Sequence, residues 1–283
     1  MATRREIFQS LYRAAAKCYP DVEARQIAEM ILERHGVTRN ALIVEPNIEL
    51  DIPDLERITA ELEAWRPVQY IIGRAEFMDM SLEVAEGVLI PRPETEELIY
   101  WIRSTQPADI DILDIGTGSG CIAIALAREI KHSRVWAMDI SKQALDIARR
   151  NGAAYAPEVR FVEGDALADF SQLFDTRFDV VVSNPPYIPA SDITLMRPNV
   201  VDYEPHTALF VADDDPLIFY RSIARTAHKI LKDNGLLYFE IYESLSNEMC
   251  DMLREEGYTA ITLKEDFRGK PRMICARVSS IAR

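Results

Sequence analysis

Residues 113–129 read LDIGTGSGCIAIALARE, an apolar run followed by a glycine cluster and a helical run. Three of the 11 glycines in the chain, Gly116, Gly118 and Gly120, lie in this cluster. Glycine adopts backbone conformations that other residues avoid, and it leaves room for a ligand where a Cβ would collide. The stretch predicts a strand, a tight turn and a helix. We expect N–H groups at the helix start to face a carboxylate or phosphate.

The spacing of these glycines is GxGxG, which differs from the GxGxxG that is typical of dinucleotide-binding proteins. The ligand predicted for the loop therefore need not carry a pyrophosphate. A nicotinamide or flavin site, and a tight turn without any ligand, stay open as alternatives at this point.

On both sides of the glycine loop, apolar runs alternate with helical runs, as in a parallel sheet covered by helices. Seven strands are predicted, and the last two follow each other without a helix between them. The predicted strands are 111–115, 134–140, 159–163, 178–183, 235–241, 259–264 and 273–278. The predicted helices of this region begin near residues 94, 120, 141, 216 and 246.

The first 70 or so residues show a helical pattern, because Ile7, Leu11 and Ala14 recur at helical spacing. Gly36 is expected to close a second helix, and a third is predicted at 53–65 before Pro67. We therefore predict a helical N-terminal domain at 1–73, a linking β-hairpin at 74–92 and an α/β domain at 93–283.

The composition is that of an ordinary globular protein, with 48% hydrophobic and 28% charged residues. The net charge of −14 disfavours a phosphate backbone as partner. The one basic segment, 264–283, is interpreted as a solvated terminal strand with its flanks. No apolar run is long enough to span a bilayer. Neither the four cysteines nor the four histidines form a metal-ligand pattern, and with no leader sequence we expect a cytoplasmic protein.

Two aspartates follow the next two predicted strands, Asp139 at the end of one and Asp165 just after the other. A carboxylate at a strand end accepts hydrogen bonds from ribose hydroxyls, and a second one is placed to meet an adenine amino group. Either aspartate alone is more typical of a helix cap. Together with the glycine loop, however, they favour S-adenosylmethionine bound at the carboxyl edge of an open sheet.

The predicted strand 178–183 leads directly into Asn184-Pro185-Pro186-Tyr187. Prolines have no N–H group, so this stretch presents carbonyl oxygens and the side-chain oxygen of Asn184. An amide nitrogen is a poor nucleophile because its lone pair is delocalised. If Asn184 Oδ1 and the Pro185 carbonyl accept its two N–H groups, charge growing on the nitrogen is stabilised by oxygens already in place. Tyr187 is expected to stack on the planar group, and a rigid loop after a strand is the alternative.

With GTGSG, Asp139 and NPPY together, the chain resembles the HemK/PrmC family of release factor glutamine methyltransferases. The likeness extends nearly from end to end, and its most specific segment is VLIPRPETE at 88–96. Other matching segments are RPVQYIIG at 66–73, NPPYIP at 184–189 and YEP at 203–205.

The resemblance implies a class I S-adenosylmethionine-dependent methyltransferase fold, with a Rossmann-like seven-stranded sheet. It also implies methyl transfer to the side-chain amide nitrogen (N5) of the glutamine in the Gly-Gly-Gln motif of peptide chain release factors. The helical N-terminal domain would dock the release factor. We expect a monomer with no membrane partner and no direct nucleic-acid substrate.

Site residues are carried over by position. Binding of S-adenosylmethionine falls to Gly116, Thr117, Gly118, Ser119, Gly120, Asp139, Asp165, Ala166 and Asn184. The residues expected to act on the glutamine side chain are Asn184, Pro185 and Tyr187, with Pro186, Arg92 and Glu94 completing its binding site. For Arg92 and Glu94 the alternative is an ordinary helix N-terminus built on Pro93.

One departure from the family pattern concerns the adenine. Where relatives often carry an aromatic residue, this chain has Asp165-Ala166-Leu167, so stacking must come from elsewhere or be weaker. Three other functions stay open: methylation of a ribosomal-protein glutamine, methylation of adenine N6 in nucleic acid, and a regulatory module that binds the cofactor without catalysis.

Overall fold

The structure is a computed structural model that describes residues 2–278. The chain divides into two compact units. One comprises the residues up to Arg74 together with Arg197–Tyr203, and the other comprises Ala75–Met196 and the residues from Glu204 onward.

The helices are α1 Arg4–Ala15, α2 Asp21–Arg34, α3 Arg39–Val44, α4 Leu55–Glu63, α5 Val68–Ile72, α6 Pro93–Thr105, α7 Cys121–Glu129, α8 Lys142–Tyr155, α9 Pro198–Val201, α10 His206–Leu209, α11 Ile218–Ile230 and α12 Ser246–Glu255. The strands are β1 Ala2–Thr3, β2 Glu49–Leu50, β3 Arg74–Phe77, β4 Met80–Glu83, β5 Asp111–Ile115, β6 Arg134–Asp139, β7 Arg160–Glu163, β8 Phe178–Ser183, β9 Ile188–Pro189, β10 Phe210–Val211, β11 Leu231–Glu240, β12 Tyr258–Glu265 and β13 Pro271–Val278.

The first unit is a helical bundle around α1, α2 and α4. Thr3 and Glu6 form a capping box at the start of α1, which satisfies backbone N–H groups that the helix cannot. Gly36, with a φ of 77°, closes α2 as predicted. Helix α4 is shorter than the predicted 53–65 because Asp54 and Trp65 adopt left-handed backbone conformations at its two ends.

Segment Arg197–Tyr203 is far from the rest of the first unit in sequence but belongs to it. The Arg197 guanidinium lies 2.9 Å from the carboxylate of Glu23. The Tyr203 hydroxyl donates to the carbonyl of Ala64 at 2.7 Å. Both ends of this short segment are therefore held by side chains.

The second unit contains a seven-stranded sheet in the order β12-β13-β11-β8-β5-β6-β7. Strands β11, β8, β5, β6 and β7 are parallel, and β13 pairs antiparallel with both β11 and β12. This confirms the predicted class I methyltransferase sheet and its helix-free last connection. All five residues of β5 are buried, as expected for a central strand covered by helices on both faces.

The register of the central strands sets their carboxyl ends level. Ile115 of β5 is paired with Ser183 of β8 and with Met138 of β6. Phe239 of β11 is in turn opposite Ser183. In an open α/β sheet, ligands bind outside the carboxyl ends of such strands, where the connections diverge to both sides.

The predicted hairpin is present as the two-stranded sheet of β3 and β4, with Phe77, Met80 and Leu82 in the core. Its turn lies at Met78 and not at Glu86-Gly87, which forms a separate turn further on. No helix among residues 2–278 has the length and apolar character needed to cross a bilayer.

Candidate active site

The glycine loop between β5 and α7 is tied to the end of β6. The N–H groups of Gly116 and Thr117 donate to the carbonyl of Met138 at 2.8 and 3.0 Å. Gly118 N–H donates to Asp139 Oδ2 at 2.8 Å, and Gly120 N–H donates to the carbonyl of Thr117 at 2.8 Å. Partners within the chain therefore already use the N–H groups of these four residues. Of the four, only Gly120, the N-cap residue of α7, belongs to the helix start for which a ligand contact is predicted.

The glycines of the loop serve different purposes. Gly116 and Gly118 have positive φ values of 73° and 56°, and a Cβ added to either would meet no atom within 4 Å. A Cβ at Gly120 would lie 2.9 Å from Ile124 Cδ1 and 3.2 Å from Ala148 Cβ. Gly120 is thus favoured by its φ of 86° and by close packing, while open space lies beside Gly116 and Gly118.

Asp114, the fourth residue of β5, is a buried carboxyl that the sequence reasoning did not assign. Its Oδ2 accepts from the Thr117 hydroxyl at 2.6 Å, and its Oδ1 has no hydrogen-bond partner within the described chain. Burial raises the pKa of Asp114 to about 7. The sequence signal was an acidic residue inside a predicted apolar strand. Burying a carboxyl group costs free energy, so such a residue is a candidate for a functional role.

Thr117 and Ser119, both predicted to bind the cofactor, are buried, with 3% and 2% of their surface exposed. The Thr117 hydroxyl is used by Asp114, and the Ser119 carbonyl accepts from Asn151 Nδ2 at 2.9 Å. These two residues therefore stabilise the conformation of the loop through hydrogen bonds within the protein.

Asp139 ends β6 with both carboxylate oxygens in use. Oδ2 accepts from Gly118 N–H and Oδ1 accepts from Ser141 N–H, each at 2.8 Å. Burial raises the pKa of Asp139, and the N–H donors oppose that shift. These two N–H donors fix the orientation of the carboxylate. Because a carboxylate oxygen can accept more than one hydrogen bond, the group still has capacity for hydroxyl donors.

Asp165 and Ala166 lie in the loop after β7, next to the end of β6, since Gly164 N–H donates to the Asp139 carbonyl at 3.0 Å. Asp165 Oδ1 accepts from Leu167 N–H at 2.8 Å. The Ala166 carbonyl accepts from the Ser222 hydroxyl at 2.7 Å. The loop is thus held by a hydrogen bond within itself and by one from α11, and no hydrogen bond described for residues 2–278 uses Asp165 Oδ2.

Asn184 and Pro185 follow β8 directly. The Ser183 hydroxyl donates to the Ile115 carbonyl at 2.6 Å, which ties the end of β8 to the end of β5. Further on, Tyr187 N–H donates to the Leu209 carbonyl at 3.2 Å. None of the hydrogen bonds described for residues 2–278 uses the Asn184 side chain or the Pro185 carbonyl. Two acceptor oxygens therefore have no hydrogen-bond partner in the described chain, one on the half-buried Asn184 and one on the buried Pro185.

Tyr187 is fixed more tightly than its position in a loop suggests. Its hydroxyl donates to Glu240 Oε1 at 3.1 Å, and its ring stacks on Tyr242 with centroids 5.9 Å apart and an angle of 20° between the planes. Burial raises the pKa of the Tyr187 phenol, so it stays protonated. One ring face lies against Tyr242, so the stacking that we predict from the sequence could use only the other face.

Arg92 is the N-cap residue of α6 and donates to Glu204 Oε1 at 2.6 Å. The buried Glu204 also accepts from Ile90 N–H at 3.1 Å, so it fixes the segment before α6. Glu94, in the first turn, is half-buried and makes no hydrogen bond to the described chain. Glu204 and Glu240 were not assigned roles from the sequence. The available signals were that Glu204 lies within the YEP segment and that Glu240 directly follows the apolar residues LLYF.

The structure brings together the ends of β8, β5 and β6, which are adjacent and parallel. Asn184, Gly116 and Asp139 therefore lie at one edge of the sheet, with Asp165 and Ala166 beside them. Within residues 2–278, no group of three or more His, Cys, Asp or Glu side chains is arranged to hold a metal ion. The chemistry of this edge is that of carboxylates and neutral oxygen acceptors around an open glycine turn.

Comparisons with known proteins point to one family. A family model described as "Methyltransferase small domain" matches residues 95–197. A release factor glutamine methyltransferase of Flavobacterium psychrophilum is 39% identical over 93% of this chain and 94% of its own length. One from Bacteroides thetaiotaomicron is 45% identical over 91% of this chain and 94% of its own length.

Among solved structures, a methyltransferase from Pyrococcus furiosus superposes with a TM-score of 0.55 at 17% identity. The match covers 72% of this chain and 91% of that one, and it supports the class I methyltransferase fold. The identity and coverage of these relatives agree with the resemblance that the sequence motifs indicate. The chain belongs to the family of release factor glutamine methyltransferases.

Proposed function

We propose that the protein transfers a methyl group from S-adenosylmethionine to the side-chain amide nitrogen (N5) of the glutamine in the Gly-Gly-Gln motif of peptide chain release factors. One observation carries this proposal: Asn184 Oδ1 and the Pro185 carbonyl, free of partners in the described chain, follow the strand next to the open glycine turn. The names of the relatives support the same substrate.

The residues at the sheet edge fit S-adenosylmethionine. The open space beside Gly116 and Gly118 accommodates a ligand, and Asp139 has acceptor capacity for ribose hydroxyls. The unpartnered Asp114 Oδ1 adds negative potential near a ligand that carries cationic groups. Ile140 and Leu167, exposed at 64% and 44%, supply apolar surface for the adenine in place of the missing aromatic residue.

When bound, S-adenosylmethionine supplies an electrophilic methyl group on a sulfonium. The chain supplies orientation: Asn184 Oδ1 and the Pro185 carbonyl accept the two amide N–H groups and stabilise the positive charge that develops on the nitrogen. No strong general base is needed, because the proton can leave after the transfer. Tyr187 does not serve as a base, since it donates to Glu240 and its pKa is raised.

The helical first unit is proposed to dock the release factor. Its helix α3 exposes Ile43 and Val44 at 70% and 77%, an apolar surface available to a protein partner. We also propose that the protein is a monomer and acts in the cytoplasm. The net charge of −14 argues against nucleic acid as the substrate. A ribosomal-protein glutamine would undergo the same chemistry, so only the protein that the docking surface binds distinguishes it from a release factor.

The direct test incubates the purified protein and S-adenosylmethionine with a release factor, a ribosomal-protein mixture and double-stranded DNA in parallel. Mass spectrometry is expected to show a gain of one methyl group on the Gly-Gly-Gln glutamine. Methylation of adenine in the DNA, or of a ribosomal glutamine in preference to the release factor, would overturn the proposal.

Substitution of the loop glycine tests where the cofactor lies. Gly116 and Gly36 share a positive φ and an open Cβ position, so Gly116→Ala and Gly36→Ala carry the same backbone strain. We expect each to lower the free energy of unfolding by roughly 1 kcal/mol. Only Gly116→Ala should weaken S-adenosylmethionine binding, by about tenfold, since its Cβ enters the ligand space. Equal affinities of the two variants in calorimetry would place the ligand elsewhere.

The affinity for S-adenosylmethionine is expected to depend on pH through Asp114. Its pKa of about 7 means that the carboxyl is largely protonated below that pH and ionised above it. A cationic ligand favours the ionised form, so binding below about pH 7 releases a proton. The affinity therefore rises with pH up to about pH 7, by at most tenfold per pH unit, and levels off above it. Calorimetry in buffers of different ionisation enthalpy measures the released proton. Asp114→Asn should make the affinity flat, and a flat wild-type profile would contradict this assignment.

A further inference from the structure

Glu240 is a buried carboxyl at the end of β11, with 2% exposure. It follows Phe239, whose register partner is Ser183 at the end of β8. Glu240 thus lies beside the point where the NPPY segment leaves the sheet. Burying a carboxylate costs free energy, so its presence calls for a reason other than packing.

The two oxygens of Glu240 bind two segments that are distant in sequence. Oε1 accepts from the Tyr187 hydroxyl at 3.1 Å, and Oε2 accepts from the Thr95 hydroxyl at 2.6 Å. Tyr187 ends NPPY, and Thr95 lies in the first turn of α6, directly after Glu94 and close to Arg92. One carboxylate therefore connects the two segments to which glutamine binding is assigned.

The neighbours of Tyr187 complete this arrangement. Tyr242, two residues after Glu240, covers one face of the Tyr187 ring and donates its own hydroxyl to Asp192 at 2.7 Å. The side chain of Arg272 is 17% exposed and bonds to Asp266 and Glu243, and its positive charge lowers the pKa of Glu240 against the larger, raising effect of burial. The chain after β11 thus holds Tyr187 by its hydroxyl and by its ring face.

We infer that Glu240 is a positioning residue for methyl transfer: by bridging Tyr187 and Thr95 it fixes the orientation of the NPPY acceptor oxygens relative to the segment that carries Arg92 and Glu94. This inference rests on the proposed function. Glu240 need not touch either substrate. Its effect is to hold the acceptor geometry, in which displacements of about 1 Å lower rates by up to 10²-fold.

The test is a double-mutant cycle of Glu240→Gln and Tyr187→Phe, with Thr95→Val as a third variant. Glutamine is uncharged and replaces one of the two carboxylate oxygens by an NH₂ group, so one of the two hydroxyls loses its charged acceptor and faces a donor. We expect Glu240→Gln and Tyr187→Phe each to lower kcat by about tenfold, and the double variant to lose little more than either single one. The KM for the release factor and the affinity for S-adenosylhomocysteine should change less than about twofold.

Tyr220→Phe is the matched control. The buried Tyr220 hydroxyl donates to the backbone carbonyl of Glu240 at 2.9 Å, so this variant also loses a buried tyrosine hydrogen bond to the same residue. It leaves the carboxylate bridge intact. We expect it to lower the melting temperature without the tenfold loss of kcat.

A second measurement separates this inference from the proposed function. Denaturant unfolding of wild type, Glu240→Gln, Tyr187→Phe and the double variant needs no substrate. If the bridge exists, the unfolding equilibrium constant of the double variant should change by less than the product of the changes in the two single variants. If wild-type protein fails to methylate a release factor, the proposed function fails while this cycle still tests the bridge. Independent effects in both cycles, or an equal loss of kcat in Tyr220→Phe, would overturn the inference.

Discussion

Asn184→Ala is expected to lower kcat for release factor methylation by roughly 10²- to 10³-fold, as loss of one fixed contact to developing charge does elsewhere. The reason is that Asn184 Oδ1, free of any partner in the described chain, is assigned to one N–H of the glutamine amide. Since this contact strengthens as the nitrogen becomes positive, its loss falls on turnover more than on KM. Initial rates at saturating release factor and S-adenosylmethionine measure it.

Ser183→Ala provides the control for Asn184→Ala. Ser183 is the preceding residue and its hydroxyl ties β8 to β5 at 2.6 Å, but it offers no acceptor to the substrate. We expect this variant to lose about 1 kcal/mol of stability and far less turnover than Asn184→Ala. Near-normal turnover of Asn184→Ala, or equal losses in the two variants, would contradict the role given to the Asn184 oxygen.

Asp139→Ala is expected to act on S-adenosylmethionine binding before turnover. The substitution removes the acceptor for ribose hydroxyls and also the anchor of Gly118 N–H, so the loop loses its tie to β6. Two hydrogen bonds to a charged group are lost, at about 1.5 to 3 kcal/mol each, which predicts an affinity weaker by roughly 10²-fold or more. Calorimetry and the KM for S-adenosylmethionine measure this, with the KM effect expected to exceed the kcat effect.

Asp139→Asn gives the intermediate case for the same position. It keeps one acceptor oxygen near Gly118 N–H or Ser141 N–H and loses the charge. We expect an affinity between those of the wild type and Asp139→Ala. An unchanged dissociation constant in Asp139→Ala would show that the ribose is held by other groups.

The fold of the second unit is predictable because its strands are continuous apolar runs separated by helical ones, and the glycine turn fixes which end of β5 carries the site. The first unit is predictable only in its longer helices. Helices Arg39–Val44 and Val68–Ile72 escaped prediction because fewer than two turns give no measurable periodicity. Val22 of α2 is apolar but 69% exposed, since the sequence does not say which apolar residues a neighbouring element covers.

The residues of the candidate site also fall into two groups, one that the sequence predicts and one that it does not. Residues whose role is local in sequence, such as Asn184, Asp139 and the loop glycines, can be proposed from motifs. The roles of Glu204 and Glu240 depend on partners more than 50 residues away, Arg92 in one case and Tyr187 and Thr95 in the other, and no local pattern contains them. For the same reason the sequence did not show that β6 uses the N–H groups of the glycine loop.

A crystal structure with S-adenosylhomocysteine and a glutamine-containing release factor peptide would show whether Asn184 and Pro185 bind the glutamine amide. We expect the nucleoside to lie against Gly116, Gly118 and Asp139, with Asn184 Oδ1 and the Pro185 carbonyl each within about 3.2 Å of the glutamine amide nitrogen. An Asn184 side chain turned away from that nitrogen, or a nucleoside bound at another edge of the sheet, would contradict it.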